Sequence, residues 1–256
     1  MGDIEAALEK VLNLYATYAN KANVVYTLAS LLHKVNEGHA AINVLKQFNG
    51  VNEDVTNLLK KLIQCRQQDQ ESEKKIAFIT CVNNDAMYQE VLTMLKELEI
   101  PEGYTVEYIA VHEATSMAGG YNRGMSSTDA KYKIYLHQDL FILNKGFLKD
   151  ILEVFKKDDH IGIIGVAGAK SLPPNMVWWN SKEVFGKIIH MDTDALGDIY
   201  ESQWQEVYAD YEEVIAVDGC ILATQYDIKW REDIFTGWDF YDISQCFEAA
   251  KIGYKV

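Results

Sequence analysis

From residue 75 onward the chain alternates short, almost wholly apolar runs with amphipathic stretches, and this alternation limits the fold more than any other feature. Residues 75–82, 104–111, 133–136, 161–166 and 213–217 read as strands, the last running on through 221–223. Residues 87–99, 146–157 and 241–251 carry helical spacing. Runs this apolar have no wet face, so they need covering on both sides, which asks for helices above and below a sheet. The reading is an α/β domain over 74–256 with a mainly parallel sheet. In such sheets ligands bind beyond the carboxyl ends of the strands, so the residues that end each run are the first candidates for chemistry.

The preceding segment has a different texture. Four apolar stripes recur at three- and four-residue steps: Ile4, Ala7, Leu8, Val11, Leu12, Tyr15 and Tyr18; then Val24, Leu28, Leu31, Leu32 and Val35; then Ala41, Val44, Leu45 and Phe48; then Val55, Leu58, Leu59 and Leu62. Gly38 and Asn49-Gly50 read as stops, and Asn52 as the cap of the fourth helix. The expectation is a small all-α module over 1–70, a bundle or a repeat-like pair of hairpins. The stretch around 28–41 faintly resembles a tetratricopeptide unit, but no self-similarity at about 34 residues accompanies it. A packing or self-association module, or a surface for a protein partner, is the simpler reading. The polar segment 64–75, apolar only at Cys65, is a helix end or linker and takes the domain boundary.

Charge divides at the same place. Residues 1–73 carry 7 Lys/Arg and 9 Asp/Glu, a net of −2; the rest carry 17 and 29, a net of −12. So acidic a chain disfavours nucleic acid and anionic lipid as partners. No apolar run approaches the ~20 residues of a membrane helix, and no leader-like segment opens the chain. The scattered Cys65, Cys81, Cys220 and Cys246 form no CxxC pair, which argues against a disulfide scaffold or thiolate zinc site and suits a cytoplasmic setting.

Polar groups gather at the strand ends. Asn83-Asn84-Asp85 follows the first run: its short side chains suit a ligand's base or ribose, and equally a capped strand-to-helix turn. His112-Glu113 follows the second, where a carboxylate can accept from a ribose hydroxyl or simply be solvated. His137-Gln138-Asp139 closes the third. Two-residue alternation along a strand would put His137 and Asp139 on one side, able to share a metal ion or flank a phosphate. Residues 119–124 hold three glycines, but with the wrong spacing for a dinucleotide fingerprint, and no phosphate-loop motif occurs. Asp218, inside an apolar run, is either a satisfied core carboxylate or a ligand contact. Gly237-Trp238-Asp239-Phe240-Tyr241-Asp242 opens the last helix; Asp242 suits the helix start, and Asp239 or Asp242 could serve as a general base. All five tryptophans fall between 178 and 238, where indole faces could stack on sugars or fill core. Residues 188–228 hold ten Asp/Glu and no Lys or Arg, read as a solvated excursion around an acceptor site or a plain acidic loop.

Taken in order, these pieces resemble a family 2 type glycosyltransferase of the GT-A fold over roughly 75–256. The matching segments are 76–79 with 83–85, the second strand with 112–113, 118–124, 134–139, 217–223, 237–243 and the ending at 248–256. The resemblance implies transfer of a sugar from a nucleoside-diphosphate donor to a carbohydrate or other hydroxyl acceptor, with inversion. It implies donor contacts from Asn83, Asp85, Glu113, Asn122, Arg123, Gln138 and Asp218. It implies Mn²⁺ or Mg²⁺ on Asp139 with His137, acceptor contacts from Trp178, Trp179 and Trp238, and a base at Asp242 or Asp239. Asp242 is favoured, though the bulk of Trp238 could desolvate Asp239 into that role. Two features depart from the family. His137 replaces the first carboxylate of the metal motif, which tilts preference toward Mn²⁺. The chain also stops at Val256 where the family continues with a strand and a loop, which reads as a C-terminal truncation. A degenerate domain that binds a nucleotide sugar or a protein is the alternative. A nucleotidyltransferase ranks last, because residues 81–85 lack a glycine-rich basic loop.

Overall fold

The computed structural model describes residues 2–35, 37–191 and 199–256. The chain separates into two compact units, Met1–Ser72 and Glu73–Val256. The first is all helix: α1 (Gly2–Tyr18), α2 (Ala22–Lys34), α3 (Gly38–Lys46) and α4 (Glu53–Ser72). Its core is Val25, Leu28, Ala29, Leu32, Ala41, Ile42, Leu45, Val55 and Leu62. Asn52 accepts the Val55 N–H at 3.0 Å at the start of α4, as a short polar cap does. Gly38 opens α3 rather than ending α2, and α4 runs straight through the polar segment to Ser72.

The second unit holds β1 (Lys75–Val82), α5 (Asp85–Leu95), β2 (Thr105–His112), α6 (Met117–Ser126), β3 (Tyr132–Leu136), α7 (Phe147–Lys157), β4 (Ile163–Gly165), β5 (Ala167–Ala169), β6 (Val184–Met191), β7 (Ile199–Gln203), β8 (Ala216–Val217), β9 (Ile221–Thr224) and α8 (Tyr241–Lys251). The main sheet has the order β2-β1-β3-β9-β4. β1 pairs in parallel with β2 and β3, whereas β9 runs against both β3 and β4. The sheet is therefore mixed rather than mainly parallel in its pairing. One reversed strand makes both of its pairs antiparallel, while the other four strands keep one direction.

Strand alternation divides the core. Ile76, Phe78, Ile134 and Leu136 face α5 and α7, through Val91, Leu95, Leu148, Ile151, Leu152 and Phe155. Ala77, Ile79 and Tyr135 face α6 and α8, through Ala118, Tyr121, Cys246 and Ala249. Helix α6, absent from the sequence reading, explains its glycines. A β carbon at Gly120 would lie 2.3 Å from Cys81 Sγ, and one at Gly124 2.3 Å from Ile79 Cγ2, so these glycines let the helix lie against β1.

The expected fifth strand is two strands in two sheets. β8 belongs to an antiparallel sheet of order β7-β6-β5-β8, β9 to the main sheet, and the turn at 218–220 passes between them. Parts of the acidic stretch are thus strand, though Glu201 is the one acid of it in a strand among the described residues; Asp192, Asp194 and Asp198 lie outside them.

Candidate functional site

Because β1, β2 and β3 run in parallel, their carboxyl ends come together. A cleft of about 570 Å³ opens there, lined by Cys81, Val82, Asn83, Asp85, His112, Glu113, Ala114 and Trp238. Asn84 caps α5, accepting the Met87 N–H at 3.2 Å. Asp85, in the first helical turn, sits 3.7 Å from His112 Nδ1. Glu113 is held at φ +53°, a left-handed conformation uncommon outside glycine, at the point where β2 ends.

Gln138 joins this cleft to the end of β3. Its Oε1 accepts the N–H groups of Asn83 and Asn84, each at 3.0 Å, and its Nε2 donates to Asn83 Oδ1. The side chain assigned to the donor is thus occupied in setting the shape of the donor-side turn. Arg123 donates to the His112 carbonyl at 2.7 Å, which holds the end of β2 in the same way. Asn122 is buried, and both ends of its amide pair with the backbone of Trp230, each at 2.9 Å. Buried there and absent from the cleft lining, it braces the loop rather than meeting a donor, so that expectation is corrected.

His137 and Asp139 lie past Leu136, the last residue of β3, so strand alternation does not govern them. His137 Nε2 is 2.6 Å from the Tyr241 hydroxyl, which itself donates to the Gly219 carbonyl at 2.9 Å. A phenol has one hydrogen; with that hydrogen on Gly219, the donor of the His137–Tyr241 bond is Nε2–H. Asp139 is exposed on the turn. Among the described residues the one trio of candidate metal ligands within mutual reach is Asp158, Asp159 and His160, and neither His137 nor Asp139 belongs to such a group. A single carboxylate with phosphate oxygens and water is how Mg²⁺ is commonly held, whereas an imidazole ligand suits a softer ion such as Mn²⁺.

The turn between β8 and β9 meets the start of α8 here. Asp218 Oδ1 accepts the Cys220 N–H at 2.8 Å, and the Cys220 carbonyl accepts from the His137 N–H at 3.0 Å. A β carbon on Gly219 would fall 2.2 Å from Tyr241 Oη and 3.1 Å from Asp242 Cβ, so the close approach of the two elements needs glycine. Burial pushes the Asp242 carboxyl up to about 6. The Ile243 N–H, 2.8 Å away, opposes the shift, and the nearby negative charge of Asp218 adds to it. Burial likewise drives the Tyr241 phenol far above its ordinary range, so it stays neutral. Burial raises Cys81 to about 12 and Cys220 higher still, which removes both thiols as nucleophiles.

Asp239, for which desolvation by Trp238 was expected, is exposed; burial falls on Asp242 instead. Trp178 is only 3% exposed and packs edge-on against Trp179 and Trp204, so it is core of the second sheet and not an acceptor platform. Trp179 stays exposed. Trp238 lines the cleft at β1 and β2 rather than a separate acceptor surface. The sequence reading missed Tyr241 and Gly219. Both stood inside motifs it singled out, but their roles depend on a contact between distant elements.

The second unit thus carries a mixed α/β sheet with an acidic, aromatic-walled cleft at the ends of its parallel strands. A family model described as a glycosyltransferase-like family matches residues 77–256, and the chain belongs to that family. Membership implies a sugar donor and an acceptor. No curated protein matches the chain.

Proposed function

We propose that the domain transfers a sugar from a nucleoside diphosphate to an acceptor hydroxyl with inversion, and that Asp242 is the base. The observation that carries this is the carboxyl of Asp242, half-buried at the start of α8 beside the 218–220 turn, its pKa raised to about 6 by desolvation. A base poised just below neutral pH is ionised in use and still basic enough to take a proton as the hydroxyl attacks. Asp85 and Glu113 accept from base and ribose. Asp139, with His137, would hold Mn²⁺ or Mg²⁺ arriving with the diphosphate, and such an ion would supply Lewis-acid stabilisation to the departing phosphate oxygens. Asp242 takes the acceptor proton as the acceptor oxygen bonds to the anomeric carbon. The bond from that carbon to the diphosphate breaks in line, and the nucleoside diphosphate leaves.

Asp242→Asn should lower turnover by about a hundredfold or more, the usual worth of a general base, while Asp239→Asn stays within about threefold. Turnover limited by this base should rise with pH through about 6 and then level, with Asp218, Tyr241 and Cys220 as the titratable neighbours. Equal losses from both substitutions would sink the assignment of the base. A second reading, a domain that binds a nucleotide sugar without transferring it, draws on the engagement of His137 with Tyr241 and of Gln138 with the 83–84 turn. Donor binding with no turnover against any acceptor would favour it.

A further inference from the structure

Of the five tryptophans, four pack against other rings. Trp179 and Trp204 each pack against Trp178, and Trp230 lies 4.9 Å from both Tyr121 and Tyr135. Trp238 makes no ring contact among the described residues, is 47% exposed and forms one wall of the cleft at the ends of β1 and β2. The loop that leads to it is tied at two points before Trp238. The Gly237 carbonyl accepts the N–H of Met117, first residue of α6, at 3.0 Å, and Asn122 holds the backbone of Trp230. Three non-glycine residues among those described have a positive φ. One is Glu113, which lines the cleft; another is Phe240, two residues beyond Trp238. Such conformations cost energy and persist where the surroundings hold them in place.

The cleft has a mixed lining. Val82 and Ala114 supply apolar surface, Trp238 an aromatic face, and Asp85 and Glu113 carboxylates at the rim. A nucleobase has that chemistry, with π-faces to stack on the indole and a polar edge for the carboxylates. The acidic rim accepts hydrogen bonds but repels phosphate, so the diphosphate must point away from it.

We propose that Trp238 is the stacking wall of the nucleobase slot, a donor-side rather than an acceptor-side residue. The inference rests on the transferase reading above. Stacking is tolerant of base identity, so Trp238 sets donor affinity and leaves the choice of base to the polar rim. The test is calorimetry of UDP, GDP, ADP and CDP, and of inorganic diphosphate, each with Mn²⁺, on wild type, Trp238→Ala and Trp238→Phe. Trp238→Ala should weaken whichever nucleotide the wild type binds by about 10- to 100-fold and leave inorganic diphosphate unchanged. Trp238→Phe should stay within about fivefold, because it keeps an aromatic face. Nucleotide should also quench tryptophan emission in wild type and not in Trp238→Phe, a readout that holds even if the alanine variant folds poorly. Nucleotide affinity within about twofold of wild type in Trp238→Ala would overturn the stacking wall and leave the transferase reading standing. Failure of the wild type to bind any nucleoside diphosphate would overturn both.

Discussion

At the first turn of α8 an ionised carboxylate is kept where water reaches it poorly, and that has a stability consequence opposite to the usual one for acids. The ordinary value for Asp is 3.8 and the folded value of Asp242 is about 6. Between those limits the folded chain binds more protons than the unfolded one, so stability falls as pH rises through that window. Above it the ionised group costs up to about 3 kcal/mol, two units at roughly 1.36 kcal/mol each. Asp242→Asn keeps an oxygen for the Ile243 N–H and removes the charge. Urea denaturation at about pH 7.5 should find the variant about 1–3 kcal/mol more stable than wild type, with the gap closing near pH 4, even as activity is lost. A variant less stable at neutral pH would show that the charge is not under strain. The carboxylate itself was legible in sequence as a helix-start acid. Its environment was not, because the burial comes from the turn at 218–220, whose approach depends on Gly219 meeting Tyr241.

Element by element, what was legible followed periodicity. β1 and α8 fall where the alternating and helical patterns put them, and β2, β3 and α7 lie within a residue or so. α6 did not, since Gly119, Gly120 and Gly124 carry poor helix propensity and an isolated reading takes them as loop. Tertiary contact reverses that preference: Ser116 caps the helix through the Gly119 N–H at 3.1 Å, and close packing on β1 accepts only glycine. β5 is buried but only three residues long, β6 is interrupted by Gly186 at φ +105° and Lys187, and β7 is polar and largely exposed, so none gives an apolar run to register. α6 also fixes the loop that bears Trp238, and the fixing group is Asn122. Asn122→Ala strands the Trp230 N–H and carbonyl without partners in a buried setting. Denaturation should show a loss of about 2–4 kcal/mol. A cost under about 0.5 kcal/mol would mean that water or another group takes over both bonds.

At the scale of the whole chain, two cores are built from separate sets of residues. Leu28 is fully buried in the helical unit, and the cleft residues belong entirely to the second unit. Leu28→Ala should therefore cost about 2–5 kcal/mol in unfolding of the helical unit, read by calorimetry, and leave nucleotide affinity unchanged. A matching loss of affinity would show that the two cores are coupled. No helix among the described residues is long and apolar enough to cross a membrane. What the second unit must do to be a transferase is hold a nucleoside diphosphate with few cations of its own, since its 17 Lys/Arg face 30 Asp/Glu. A divalent ion on Asp139 is how the account meets that need. The most direct test is calorimetric binding of nucleoside diphosphates with and without Mn²⁺, on wild type and Asp139→Ala. The account predicts that one nucleotide binds wild type in the presence of Mn²⁺ and that affinity drops at least about tenfold when either the ion or the Asp139 carboxylate is removed. Binding that is indifferent to both would contradict the metal assignment, and no binding of any nucleotide to the wild type would contradict the transferase reading itself.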